Sequence, residues 1–176
     1  MPNIPETTST ETIYNGKVFD IRIDAIREGN IEYNREIVVH KGSSVVIPVF
    51  EDGTVALVRQ YRHASGKYLL EICAGTLNAG EGPEIGARRE LEEEVGVTAG
   101  KMVKLCEFYV SPGFLTEKMH LYLATELTET AQNLEPDEIL TVERHSLDNL
   151  LQMVRRGEIE DAKTIIAILL CQNREP

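Results

Sequence analysis

From residue 18 to 26 the chain reads Val-Phe-Asp-Ile-Arg-Ile-Asp-Ala-Ile, an apolar and polar alternation with the two-residue period of a half-buried strand. Gly29-Asn30 is a turn signal, and residues 31–40 continue with strand formers ending in Ile37, Val38 and Val39, which predicts a hairpin. A second hairpin is predicted from 45–50 (Val-Val-Ile-Pro-Val-Phe) through Glu51-Asp52-Gly53 to 55–59. Residues 68–73 read as a further strand, and 74–83, rich in Gly and small residues, as loop. The pattern then turns helical over 84–95, with Pro83 at the start and Gly96 as the stop. Strands rich in β-formers are predicted over 104–110, 119–125 and 139–144. Ser146 is placed to cap an amphipathic helix carrying Leu147, Leu150, Leu151 and Val154 and stopped by Gly157, and a last helix runs over 161–171. Residues 1–10 are polar and read as a loose leader.

Strands with helices inserted between them give a mixed α/β (α+β) class. Lys41-Gly42-Ser43-Ser44 is the most linker-like internal stretch, so a boundary is placed at 42, dividing a small antiparallel N-terminal β unit (1–42) from the main domain (43–176).

The helical stretch carries the most suggestive chemistry. At about 3.6 residues per turn, Glu90, Glu93 and Glu94 fall within an arc of about 100°, while Leu91 and Val95 point roughly the other way, toward a core. Carboxylates crowded on one patch repel each other unless a cation neutralises them, and all-oxygen donors suit hard ions such as Mg²⁺ or Mn²⁺. Arg89, four positions before Glu93, can pair with it. Gly86, one turn before Glu90, is expected to leave that face bare for a ligand to approach.

Composition narrows the partners. The 176 residues hold 18 Lys+Arg against 29 Asp+Glu, a formal net charge of -11, which argues against wrapping nucleic acid or docking on an anionic membrane. No apolar run approaches the roughly 20 residues of a membrane span. Residues 1–10 have neither a cationic region nor an apolar stretch, so no secretory signal is expected and a cytoplasmic location is. Cys73, Cys106 and Cys171 are odd in number and lack metal-type spacing, so no disulfide framework is expected. His40, His63, His120 and His145 show no ligand spacing.

The segment from Gly75 to Val97 resembles the signature of the Nudix hydrolases at each fixed position: Gly75, Glu81, Arg89, Glu90, an aliphatic Leu91, Glu93, Glu94, Gly96 and an aliphatic Val97. The resemblance implies a Nudix fold, a mixed β-sheet sandwiched between helices, and metal-dependent hydrolysis of nucleoside diphosphates linked to another group. Beyond that segment the chain is most similar to the ADP-ribose pyrophosphatase subgroup. Ser111-Pro112-Gly113 sets a proline about 16 positions past Gly96, Arg59-Gln60-Tyr61-Arg62 precedes Leu70-Glu71-Ile72-Cys73-Ala74-Gly75, and the stretch from Gly157 to Thr164 looks like the subgroup's C-terminal signature.

By that resemblance the carbonyl of Ala74, Glu90 and Glu94 would hold Mg²⁺, with Mn²⁺ as a substitute and Glu93 close by. Arg62 would contact substrate phosphate, with Thr76, Ser111, Pro112 and Gly113 also toward the substrate. The N-terminal unit would mediate a homodimer and help hold adenine and the terminal ribose. Tyr33, Phe19 and Arg35 are the candidates there, the chain having no Trp to stack on the base. The water-activating base would lie on an acidic loop, best matched by Glu138, with Glu135 second. The Asp161-Ala162-Lys163-Thr164 stretch reads as a helix cap rather than part of the site. The expected reaction splits ADP-ribose into AMP and ribose 5-phosphate. The alternatives are another nucleoside diphosphate sugar, of the GDP-mannose or ADP-glucose type, and a non-catalytic nucleotide-sugar sensor.

Overall fold

The structure, a computed structural model, describes residues 4–172. The chain divides into two compact units, residues 4–42 with Phe108–Met119, and Ser43–Glu107 with 120–172.

In the first unit, β1 (Glu6–Asn15), β2 (Asp20–Glu28) and β3 (Ile31–Val39) form an antiparallel sheet in that order. The β2–β3 turn is Gly29-Asn30, with Glu28 paired to Ile31, and Gly29 takes the φ of +61° that such a tight turn requires. β1 corrects the loose leader: the Thr-rich stretch has no buried residue to betray it, yet Thr favours extended backbone and pairs here with β2 across two register shifts. The segment 108–119 docks on β3, with the Val38 N–H donating to the Phe114 carbonyl (2.8 Å) and the Thr116 N–H to that of Val38 (3.0 Å).

The second unit holds two sheets, one ordered β7-β4-β9-β8 and the other β10-β5-β6. These strands are β4 (Ser43–Pro48), β5 (Thr54–Arg62), β6 (Lys67–Glu71), β7 (Cys73–Thr76), β8 (Val97–Tyr109), β9 (Lys118–Glu129) and β10 (Leu140–Ser146). β4 is buried along its whole length, as a strand covered on both faces must be, which explains the continuous apolar run from Val45 to Pro48. Helix α1 (Pro83–Glu90) packs on β4 and β7, and α2 (Leu147–Arg155) packs on α3 (Ala162–Gln172). Val46, Val58, Cys73, Leu91, Val95 and Tyr122 are among the side chains that join the strands to the α1 region in one core.

Two local features depart from expectation. Residues 73–76 form a short strand, antiparallel to β4 with Ser44 opposite Gly75, where composition suggested loop from 74 onward. The helix over 84–95 is α only to Glu90, and Leu91–Val95 forms a π-helical turn before Gly96 ends it with φ +73°. Ser146 caps α2 through the Asn149 N–H (3.3 Å), and Asp161 caps α3 through the Thr164 N–H (3.0 Å). Among the described residues no helix is long and apolar enough to cross a membrane.

Candidate active site

The site is built where β7 runs beneath α1 and the π turn. Gly75 is the close-approach point: a Cβ there would stand 1.8 Å from Glu90 Oε1, so only glycine lets the Glu90 carboxylate lie against the strand. Gly86 plays a different part from the bare ligand-facing position expected of it. A Cβ there would meet Leu77 at 2.8 Å and Ser44 at 3.1 Å, so this glycine lets α1 pack tightly, an approach also marked by the Ser44 hydroxyl donating to the Pro83 carbonyl (2.6 Å).

Arg89 is the hub of the cluster. Its Nε and Nη2 donate to the two oxygens of Glu81 (2.9 and 3.0 Å), and its Nη1 donates to Glu90 Oε1 (2.6 Å) and Glu93 Oε2 (2.9 Å). The fork also leans toward the Thr76 carbonyl (3.4 Å). Glu81 accepts in addition from the Asn78 N–H (2.9 Å), and these bonds, Arg89 first, pull its carboxyl down to about 2. A permanently charged Glu81 and a five-donor guanidinium thus brace the loop before α1 and orient the carboxylates after it.

Glu90 and Glu94 are not on a solvated face. Glu90, the last residue of α1, and Glu94, in the π turn, are only 6 % and 3 % exposed: Glu90 lies against Gly75 and Glu94 against Ala74 of β7, with Leu91 and Val95 in the core. The Ala74 N–H donates to Glu94 Oε2 (3.2 Å). Burial pushes the Glu94 carboxyl up to about 7, with the negative charges of Glu90 and Glu138 adding to it. Burial also raises Glu90 despite Arg89. These are oxygen donors held out of water and incompletely neutralised by the protein's own cations. Among the described residues no three His, Cys, Asp or Glu side chains already converge as a closed ligand set.

The acidic loop before β10 is tied to the end of the π turn. The Thr130 N–H donates to the Gly96 carbonyl (2.8 Å), the Asn133 N–H to that of Glu93 (3.1 Å), and the Gln132 amide to that of Glu94. Within it, the Glu138 N–H donates to the Glu135 carbonyl (2.9 Å) while the Glu135 N–H donates to Glu138 Oε2 (3.0 Å), closing a turn. Of these two acids, Glu138 is the one whose charge acts on both Glu90 and Glu94. Gln132 and Asn133, which set this geometry, carry no mark in the sequence beyond their place next to the acids.

Arg62, at the end of β5, is fixed by a bidentate pair with Glu71 (Nε 2.7 Å, Nη2 2.9 Å), leaving Nη1 uncommitted by that pair. Glu71 and its second partner Lys163 stand in stretches read from the sequence for a family likeness and a helix cap, but their pairing was not foreseen, since the 92 positions between them give no local signal. Phe19, Arg35, Tyr33, Ser111, Pro112 and Gly113 belong to the other unit. There the Arg35 guanidinium stacks 4.2 Å over the Tyr33 ring, Phe19 lies 6.1 Å from Tyr14, and the Ser111 carbonyl accepts from the Phe114 and Leu115 N–H groups to form a tight turn.

A helix whose acids are buried against a strand glycine and gathered by one arginine, inside a mixed-sheet fold, defines a class, and comparison with known proteins agrees. The NUDIX domain family matches residues 40–167, and the chain belongs to the Nudix hydrolase family. It is 40% identical over 173 residues to "ADP-ribose pyrophosphatase" of Bacillus subtilis, covering 97% of this chain and 94% of that one. It is 39% identical, with the same coverage, to "Methanol dehydrogenase activator" of Bacillus methanolicus. A solved structure titled "Crystal structure of ADP compounds hydrolase" shares the fold, with a TM-score of 0.85 at 22% identity over 98% of this chain and 94% of that chain. Nudix hydrolases generally use divalent metal cations.

Proposed function

We propose that the chain is an ADP-ribose pyrophosphatase: one water adds across the diphosphate of ADP-ribose, and AMP and ribose 5-phosphate leave. The observation that carries this reading is the buried, under-neutralised pair Glu90 and Glu94 against Ala74 and Gly75, in a chain 40% identical to an ADP-ribose pyrophosphatase.

The donor set fits a hard divalent cation, Mg²⁺ with Mn²⁺ as a substitute, held by the Ala74 carbonyl, Glu90 and Glu94 with Glu93 beside them. When bound, it would supply charge neutralisation and Lewis-acid polarisation of the diphosphate. The rest falls to side chains. Arg62 holds phosphate oxygens with the N–H groups Glu71 leaves uncommitted, countering the anionic substrate in an acidic chain. Glu138, beside the cluster, takes the proton from the attacking water, with Glu135 as the second choice. Arg89 keeps Glu90 and Glu93 oriented and does not touch the substrate.

Phe19, Arg35 and Tyr33 would receive the adenosine and ribose ends, and Thr76 and 111–113 would flank the substrate. The unit of residues 1–42 would join two copies. Its sheet is too thin to bury a core alone, and Ile13, Ile21, Ile23, Ile37 and Phe114 line an apolar pocket of about 310 Å³. Light scattering at twice the chain mass is the expected reading, and a monomer would remove this role. The cytoplasm suits three free thiols.

The test is a panel of ADP-ribose, ADP-glucose and GDP-mannose with Mg²⁺, scored for released nucleotide. ADP-ribose is expected to give the highest kcat/KM, and equal rates on GDP-mannose would move the assignment to a general nucleotide-sugar hydrolase.

A further inference from the structure

Behind Arg62 lies a buried charge network reaching the last helix. Glu71 is 1 % exposed, and its two oxygens serve two cations: the half-exposed Arg62, through its Nε and Nη2, and Lys163 of α3, 7 % exposed, through its Nζ. Lys163 also donates to Asp161 Oδ1 (2.9 Å). The other Asp161 oxygen accepts from the Thr164 N–H (3.0 Å) and hydroxyl (2.5 Å), and the Thr164 hydroxyl oxygen accepts the Ile72 N–H (2.8 Å). α3 is therefore stitched to the strand residues just before Cys73 and Ala74.

The charges in this network are not equivalent. Asp161 sits at the N-terminus of α3, where the helix dipole and Thr164 offset it. Glu71 has no such compensation and depends on side-chain cations. A carboxylate this buried does not stay ionised on one half-solvated guanidinium without drawing heavily on it. With Lys163 in place Glu71 is balanced from behind. The guanidinium of Arg62, which also feels Glu94 and Asp161, then meets a ligand on its open side with less of its fixed positive charge offset by carboxylates.

We infer that Lys163 is a positioning residue that acts through Glu71: it offsets the Glu71 carboxylate so that Arg62 can hold substrate phosphate rather than be consumed by its own ion pair. The inference rests on the assignment of Arg62 to substrate phosphate. It gives the Asp161–Thr164 stretch, whose Asp161 does cap α3, a second part in ligand binding at a distance. It also separates two effects that a helix cap alone would not, since the cap holds α3 whatever the charge on Glu71.

The test is ADP-ribose affinity by calorimetry on the metal-free protein, where nothing turns over, together with KM and kcat in Mg²⁺. The variants are Arg62→Gln, Lys163→Met, Glu71→Gln and the double variant Glu71→Gln/Lys163→Met, with melting temperature as the fold control. Arg62→Gln should weaken binding about tenfold or more; no change there removes the phosphate role of Arg62 itself. Given that loss, Lys163→Met should weaken binding and raise KM by about tenfold with kcat within about threefold. In the Glu71→Gln background, which itself loses the bidentate hold on Arg62, adding Lys163→Met should change affinity by less than about threefold, because a neutral residue 71 no longer draws on Arg62. Glu71→Gln and the double variant should bind alike, a comparison that stands even if Lys163→Met alone does not fold. A double variant tenfold weaker than Glu71→Gln, or a folded Lys163→Met that binds like wild type, overturns the inference.

Discussion

At the scale of single residues the site depends on what is missing from Gly75 as much as on the acids. A Cβ there would overlap the Glu90 carboxylate at 1.8 to 2.4 Å, so Gly75→Ala must push Glu90 off the strand or the strand off α1. Overpacking of this kind costs about 1–3 kcal/mol, and a displacement near 1 Å at a reacting centre can cost about a hundredfold in rate. Gly75→Ala should therefore melt lower yet fold, with kcat/KM down at least about a hundredfold; activity within threefold of wild type would show that Glu90 need not lie there. Gly75, Glu81, Arg89 and Gly96 were legible in sequence because their spacing is fixed locally. Glu71 with Lys163 and Gln132 with the Glu94 carbonyl were not, since each joins residues 92 and 38 positions apart.

At the scale of elements, hydrophobic period was a good guide where a strand or helix buries one face and a poor one elsewhere. β4 and β5 were legible in their apolar runs, and α2 in its leucines and Ser146 cap. β1 was not, because all ten of its positions are exposed, and β7 was not, because small residues in a strand read as loop. The π turn was invisible for a different reason: Leu91, Glu94 and Val95, all three buried there, fit an α-helical period well enough. The acidic loop is an element whose function follows from its anchors. Tied through residues 130–133 to the end of that turn, it sets Glu138 where its charge reaches Glu90 and Glu94. Glu138→Gln should accordingly lower kcat by about a hundredfold or more with KM changed less than threefold. An unchanged kcat would transfer the role of base to Glu135 or Glu93.

At the scale of the whole molecule, the net charge of -11 and the buried acids tie stability to pH and to cations. The Glu94 carboxyl stands at about 7 in the folded protein, above the 4.5 of a free glutamate. The folded state thus holds this proton more tightly than the unfolded chain. The stability it contributes is present in full below about pH 4.5 and is lost as pH rises through about 7. A divalent cation favours the ionised form, so Mg²⁺ should raise the melting temperature more at pH 8 than at pH 6. An equal Mg²⁺ shift at both pH values would separate the cation from Glu94.

The central claim is that the buried carboxylates of Glu90 and Glu94 drive diphosphate hydrolysis, and AMP release from ADP-ribose in saturating Mg²⁺ by Glu94→Gln against wild type tests it most directly. Glu94→Gln keeps the size of a side chain that is 3 % exposed while removing a charge that burial disfavours, so the variant should melt at or above the wild-type temperature. Its turnover should fall by about a thousandfold or more. A folded variant that releases AMP at near the wild-type rate would contradict the assignment of this site.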